Sequence, residues 1–146
     1  MNIDIVSYTI HHLVKGEDLN HHGTLFAGRS AEWFVESGFI AAASLLSPDR
    51  IVCVKIHGMT FTCPVPPGSI VRYDGSIVLA GRTSLVAHVS VHAHTGCISE
   101  GFITFVHVDK HGNTSPHGIT VTPTTAEGIA LQERARHVQE MARMQS

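Results

Sequence analysis

The feature that most constrains the fold is one long helical pattern, residues 25–46, with strand patterns on both sides of it. Its apolar residues recur at intervals of three and four, which is typical of an amphipathic helix. They are Ala31, Phe34, Val35, Gly38, Ala41, Ala42 and Leu45. The other side of the predicted helix carries Arg29, Glu32, Trp33 and Glu36. Pro48 ends the helix, because proline disfavours the helical conformation in the residue before it.

The strand patterns are β-branched and roughly alternating. They cover residues 2–14, 50–61, 69–80, 83–95 and 98–109. A second helix is predicted over residues 124–144, with Thr124 or Thr125 as its N-cap. This order predicts an α+β fold, in which a long central helix is wrapped by a curved antiparallel sheet. Residues 1–123 are the predicted domain, and residues 124–146 are a C-terminal helical extension.

Composition narrows the possible partners. The chain has 146 residues, which suits one domain, and its charged fraction is only 15%. We therefore expect part of the surface to be covered by further copies of the chain. The net charge of -2 and the lack of a basic block argue against nucleic acid as a partner.

The cysteines and the apolar segments bear on location. The three cysteines, Cys53, Cys63 and Cys97, are odd in number and form no CxxC motif, which favours free thiols in a reducing compartment. The N-terminus does not have the pattern of a signal peptide. The longest apolar run, residues 38–46, is too short to cross a bilayer, which takes about 20 residues. We expect a cytoplasmic protein without a membrane partner.

Twelve histidines are unusual for a chain of this length. His88, His92 and His94 share one face of the strand pattern over residues 83–95. Residues two and four apart on a strand are separated by about 7 and 13 Å, so one metal ion cannot reach all three. The pairs His11–His12 and His21–His22 lack a carboxylate or a cysteine at ligand spacing. We therefore predict no metal site, and we expect the histidine face to lie at a subunit interface or in solvent.

The strongest candidates for catalytic groups lie in residues 18–42. A polar loop leads through Gly23 into the helix, where free backbone N–H groups can stabilise a developing oxyanion. The Asn20 amide can orient a water molecule or hold a carbonyl group. Glu36, inside the helix and away from its core stripe, offers a carboxylate for general base or nucleophilic catalysis.

This segment resembles the hotdog acyl-CoA thioesterases, particularly the bacterial acyl-CoA hydrolases related to the mammalian brain-type enzyme. The residues that match the pattern of that family are Asp18, Asn20, Gly23, Leu25, Phe26 and Gly28, with Ala27 in place of a glycine. Residues 58–61, with Pro64, Val65 and Gly68, look like the second strand of the family and its turn, and residues 81–84 look like its hairpin. The resemblance covers roughly residues 5–110.

The resemblance implies a hotdog fold and hydrolysis of an acyl-CoA thioester to a free acid and CoA. The implied catalytic residues are Asn20, Gly23 and Glu36, and the implied substrate-binding residues are His22, Met59, Thr60, Phe61, Arg82, Thr83 and Ser84. Arg82 is the first candidate for binding the CoA phosphates, and Lys110, Arg50 and Lys55 are weaker candidates. No cofactor is implied, because coenzyme A is part of the substrate. The site would form between subunits, so a dimer is the smallest active unit, and a tetramer or hexamer is compatible with it.

One position departs from the family. Without gaps, Val35 stands where many relatives carry a catalytic aspartate, and Glu36 is the next residue. Adjacent helical residues point about 100° apart, so Glu36 is not a simple substitute for an aspartate at position 35. We nevertheless expect Glu36 to take the role of that aspartate. Two alternatives stay open. One is an acyl-CoA-binding sensor without turnover, which Val35 favours. The other is a hotdog dehydratase or hydratase, for which His57 is a candidate residue.

Overall fold

The long helix lies against one face of an antiparallel sheet in the computed structural model, which describes residues 1–94, 96 and 98–145. The strands are β1 (Asn2–Ile3), β2 (Tyr8–Leu13), β3 (Ile51–His57), β4 (Ile70–Ala80), β5 (Ser84–Ala93), β6 (Ile98–His107) and β7 (Thr120–Val121). The helices are α1 (Ala27–Ala43) and α2 (Ala126–Met144), and short 3-10 turns cover Gly16–Asp18 and Pro48–Arg50. The predicted α+β class is confirmed.

The main sheet has five strands in the order β2-β4-β5-β6-β3, with every neighbouring pair antiparallel. The strands β2 and β3 are therefore its edges. The first and last short strands, β1 and β7, pair in parallel beside it, and Asn2 lies opposite Thr120. The order places the start of β4 and the end of β5 at the same end of the sheet, which is also the end where α1 begins.

The core lies between α1 and the inner face of the sheet. Phe34 and Ala41 of the helix are fully buried in one cluster with Val89, Ile103 and Phe105 of the sheet. The backbones approach closely at Gly75 of β4, where an added Cβ would lie 2.7 Å from the carbonyl oxygen of Ser37. Glycine is required there because another backbone occupies the space that a side chain would take.

The prediction that Trp33 lies on the outer side of the helix is wrong. Its side chain is 8% exposed, and its ring stacks on that of His12 with centroids 4.2 Å apart. It also meets the Tyr73 ring edge-on. Since β2 lies beside α1, the buried stripe of the helix is wider than the apolar spacing alone predicts.

The first predicted strand is wrong in one respect, because it is interrupted between β1 and β2. The side chain of Asp4 accepts hydrogen bonds from the backbone N–H of Ile5, at 2.7 Å, and from the backbone and hydroxyl of Thr124. These bonds fix residue 4 to the segment before α2 rather than to a strand neighbour. The chain re-enters a sheet only at Tyr8.

The second helix covers the outer face of the main sheet. Ala135 of α2 is fully buried in a second cluster with Val78, Val86 and Phe102. Arg134 pairs with Glu100, and Glu100 accepts a hydrogen bond from His88 at 2.6 Å. The histidine face was expected at a subunit interface or in solvent, but this helix covers His88 and leaves 12% of its side chain exposed. The boundary between a domain and an extension at residue 123 stays a prediction.

Two further observations concern the cysteines and the bilayer. Cys53 is a free, exposed cysteine. Cys63 is disulfide-bonded, so the expectation of free thiols is wrong for this residue; Cys97 lies outside the described residues. Neither described helix is both long enough and apolar enough to cross a membrane.

Candidate functional site

A cavity of about 310 Å³ opens at the N-terminus of α1. Its lining combines the loop before α1, the first turns of α1, the segment after β3, and the ends of β4, β5 and β6. The described lining residues are Asn20, Thr24, Leu25, Ala27, Ser30, Met59, Thr60, Phe61, Thr62, Cys63, Pro64, Val65, Val71, Val91, Ala93 and Ser99. Four of the sequence-predicted site residues, Asn20, Met59, Thr60 and Phe61, therefore meet in one place.

Asp18 holds the loop that carries Asn20. Its carboxylate is 4% exposed, pairs with the Arg29 guanidinium at 3.2 Å and accepts the backbone N–H of Lys15 at 2.9 Å. Its own carbonyl oxygen accepts the N–H of Phe26, the residue that caps α1. A buried carboxylate needs such partners, because removing an unpaired charge from water is costly. The role of Asp18 in the motif is thus to fix the loop to the first turn of the helix.

Asn20 organises the loop from inside the cavity wall. Its Oδ1 accepts the backbone N–H of His22 at 2.9 Å and that of Thr24 at 3.2 Å. Its Nδ2 donates to the Thr24 hydroxyl at 3.2 Å. An amide nitrogen carries two protons, so one remains for a ligand while the side chain is held in position.

The first turn of α1 supplies backbone donors. The first N–H groups of a helix have no partner within the helix, and the dipole of the helix adds partial positive charge at this end. Ala27 is the first helical residue and lines the cavity. The Gly23 N–H was predicted for the same role, but in this chain it donates to the Asn20 carbonyl at 3.1 Å. The left-handed φ of 77° at Gly23 makes the turn that leads to the helix.

The segment after β3 forms the opposite wall. The Thr60 carbonyl accepts a hydrogen bond from the Ser99 hydroxyl at 2.7 Å, which ties this segment to the start of β6. Phe61 lines the cavity, but 56% of it is exposed to solvent. An apolar ring so exposed at the rim of a cavity is available to a ligand or to a further copy of the chain.

Sequence patterns do not predict the part played by two residues, Ser30 in the cavity lining and Tyr73 behind it. Ser30 lines the cavity and is 8% exposed, and its hydroxyl lies 3.1 Å from that of Tyr73. Burial raises the pKa of Tyr73 to about 12, and the hydrogen bond with Ser30 opposes this increase. The available signal was a polar residue one turn before Phe34, on the apolar face of α1.

Glu36 does not line the cavity of its own chain. It is exposed, whereas the preceding residue, Val35, packs against the core cluster. Its charge acts on His12 of β2. Burial lowers the pKa of His12, and the carboxylates of Glu36 and Asp18 oppose that effect. Within one chain, Asn20 and Glu36 are therefore not brought together, and the catalytic role of Glu36 stays a prediction.

The predicted CoA-binding hairpin also lies away from the cavity. Arg82 and Thr83 form the turn after β4, while Val71, near the start of β4, lines the cavity. The 11 residues of β4 separate the two ends, which corresponds to about 30 Å along the strand. Ser84 opens β5, and its carbonyl accepts a hydrogen bond from the His117 ring at 2.8 Å. The hairpin therefore does not contribute to the cavity of its own chain.

Two histidines considered from sequence are also outside the lining. His22 is exposed, and its ring lies 3.9 Å from that of His21. The ring of His57, at the end of β3, forms a 2.7 Å hydrogen bond with the Thr104 hydroxyl. Burial and the positive charge of Lys55 lower the pKa of His57. Among the residues that the structure describes, no group of three or more His, Cys, Asp or Glu side chains could hold a metal ion.

Comparison with known proteins identifies the family of the chain. Residues 22–97 match the family described as the Thioesterase superfamily. The acyl-CoA thioester hydrolase YciA of Salmonella typhimurium is 28% identical over 116 residues, which cover 71% of this chain and 84% of that protein. A crystal structure of an apo-hexameric acyl-CoA thioesterase is 28% identical, with a TM-score of 0.85 over 95% of this chain and 92% of that one. An acyl-CoA hydrolase from Bacillus cereus is 25% identical, with a TM-score of 0.86 over 95% and 87%.

Proposed function

The chain belongs to the Thioesterase superfamily, and from this premise we propose that it is a hotdog-fold enzyme that hydrolyses an acyl-CoA thioester to a free carboxylic acid and CoA. The observation that carries the proposal is the cavity at the N-terminus of α1, where the Asn20 amide and the Ala27 backbone meet an apolar wall. A largely apolar pocket with a few fixed polar groups is the usual form of a small-molecule site. The relatives named as acyl-CoA thioester hydrolases support the same substrate class.

The cavity supplies two of the requirements for thioester hydrolysis. The thioester carbonyl would lie at the start of α1, where the unpaired N–H groups and the helix dipole favour the negative charge that develops on its oxygen. The free proton of the Asn20 amide would hold that carbonyl or the attacking water. Attack of water on the carbonyl carbon forms the acid, and the C–S bond breaks to release CoA as the thiol.

A base is the third requirement, and for it we retain Glu36. Since this residue lies outside the cavity of its own chain, a site between subunits would place Glu36 of the partner subunit at the cavity. The sensor alternative is favoured by a specific observation: Val35 packs against the core and offers no carboxylate at the position used by many relatives.

Self-association is part of the same proposal. Val52, Val54 and Ile56 of the edge strand β3 are 45%, 54% and 47% exposed. An exposed apolar edge strand is a template for pairing with another chain. The described lining of the cavity contains no Lys or Arg, so cations for the CoA phosphates must come from elsewhere. Arg82 of a neighbouring copy is our first candidate. A hexameric relative of 28% identity supports an oligomer, and we propose a cytoplasmic location.

The test is release of free thiol from acyl-CoA substrates between acetyl-CoA and palmitoyl-CoA. Glu36→Gln is expected to lower kcat by about 10²-fold or more, the usual effect of removing a general base. Glu32→Gln is the matched control, because Glu32 is an exposed carboxylate one turn earlier on α1. Hydrolysis unchanged in Glu36→Gln would refute the role of Glu36. Binding without turnover in the wild type, together with turnover gained in Val35→Asp, would establish the sensor alternative.

A further inference from the structure

Ser30 occupies a position where an apolar side chain is expected. It lies one turn inside α1, on the face that packs against the sheet, and lines the cavity together with Val71 and Val91. These three residues are 8%, 1% and 8% exposed, so they belong to the buried part of the lining. Serine is an indifferent helix former, and a hydroxyl in such a position needs a hydrogen-bonding partner.

Tyr73 supplies that partner and determines the direction of the bond. Its side chain is fully buried, and among the described residues the Ser30 hydroxyl is the only hydrogen-bonding partner of the Tyr73 hydroxyl. The pKa of Tyr73, raised to about 12 by burial, keeps the phenol protonated. Donation from Tyr73 to Ser30 is the favoured direction of this bond, because the Tyr73 proton has no other acceptor among the described residues and a buried hydroxyl that donates to nothing is costly.

The proton of Ser30 is then available to the cavity. A hydroxyl group has one proton and two lone pairs, and the bond from Tyr73 uses a lone pair. The side chains of Val71 and Val91, which line the same cavity, cannot accept a hydrogen bond. An alkyl chain in the cavity would cover the Ser30 hydroxyl without pairing with it, whereas an oxygen on the chain would accept its proton.

We infer that Ser30, positioned by Tyr73, is a specificity-determining residue that selects acyl groups carrying a hydroxyl or keto oxygen over plain alkyl chains. The inference rests on the proposed function and names the substrate class of that site. A neutral hydrogen bond of this kind corresponds to about a tenfold preference, and sites built to bind a substrate oxygen discriminate against analogues that lack it.

The test compares three substrates of equal chain length: butyryl-CoA, 3-hydroxybutyryl-CoA and acetoacetyl-CoA. The measured quantity is the ratio of kcat/KM in Ser30→Ala to that in the wild type. We expect about a tenfold loss for both oxygenated substrates and no loss for butyryl-CoA. The loss for acetoacetyl-CoA tests the direction of the bond, because a keto oxygen can only accept. Tyr73→Phe is expected to give a smaller loss for the same two substrates, since Ser30 keeps its hydroxyl but loses its orientation.

Ser37→Ala is the matched control. Ser37 is on the same helix and buried, but it does not line the cavity, and its variant should treat all three substrates like the wild type. An equal loss for all three substrates in Ser30→Ala would overturn the inference, because Ser30 would then act on the thioester or on the fold. A wild type that does not favour the oxygenated substrates would also overturn it.

Failure of the proposed function is distinguishable from both results. If no thiol is released from any substrate, the same comparison is made on the Kd of butyryl-CoA and 3-hydroxybutyryl-CoA by calorimetry. Tighter binding of the hydroxylated ligand that disappears in Ser30→Ala would support the selection by Ser30 in a protein without turnover. Equal Kd values for the two ligands in the wild type would refute it.

Discussion

The segment that begins at Gly58 and forms one wall of the cavity passes close over Gly101 of β6. We predict that Gly101→Ala lowers both the stability of the protein and its affinity for ligand. An added Cβ would lie 1.8 Å from the carbonyl oxygen of Gly58 and 2.9 Å from the Phe34 ring. Ordinary contact begins at 3.4 Å, so the Gly58 carbonyl must move by the difference, 1.6 Å. Because Met59 follows it directly, the wall at residues 59–61 must move as well.

The expected cost is roughly 2–4 kcal/mol in the free energy of unfolding, as for overpacking that forces a backbone shift. For a chain of this size, that corresponds to a fall in Tm of about 10 °C. Urea unfolding followed by circular dichroism measures the first quantity, and calorimetric titration with a CoA thioester measures the loss of affinity. Gly16→Ala is the control, since no atom lies within 4 Å of the added Cβ there. A Gly101→Ala protein as stable as this control would refute the close approach of residue 58.

Three further predictions concern other parts of the molecule. Ser37→Ala should raise the free energy of unfolding by up to about 1 kcal/mol, because the Ser37 hydroxyl is buried without a hydrogen-bonding partner among the described residues. Urea titration measures this change, and a clear loss of stability would contradict the prediction. The hydrogen bond from Arg134, helped by His88, lowers the pKa of Glu100 below its ordinary value of 4.5. The stability that Glu100 contributes is thus present above pH 4.5 and lost as the pH falls through its folded pKa, so the difference between wild type and Glu100→Gln in unfolding experiments should shrink in acid rather than grow. Val54→Lys on β3 should reduce the oligomer in light scattering, while Ile129→Lys, at an equally exposed apolar position on α2, should not; equal masses for wild type and Val54→Lys would exclude β3 as the contact.

The sequence predicts the main elements because their signals are local. The apolar spacing of α1, the alternation of β5 and the turn-forming residues between them each lie within about a dozen residues. The break before Tyr8 could not be predicted in this way, because it depends on a bond between Asp4 and Thr124, 120 residues away. Trp33 was misplaced for the same reason, since its stacking partner belongs to another element.

The candidate site could also be predicted only where its residues carry local motifs. Asn20 and the segment from Met59 to Phe61 were identified because each carries a local motif, and the fold brings them to one cavity. Arg82 carries an equally local motif, but its distance from the cavity depends on the length and direction of β4. Ser30 was missed because serine on a helix is usually exposed, and its partner on β4 is 43 residues away.

The pairing of β1 with β7 has a consequence for how the chain is made. Asn2 is synthesised 118 residues before its partner, Thr120. At ordinary rates of synthesis, the first strand waits on the order of 10 s for that partner. Ile10 and Val14, at β2 and just beyond it, wait a shorter time, until β4 has been made. β1 therefore has no native partner until residues 120 and 121 have been made, and we expect the nascent chain to depend on protection from aggregation during that interval.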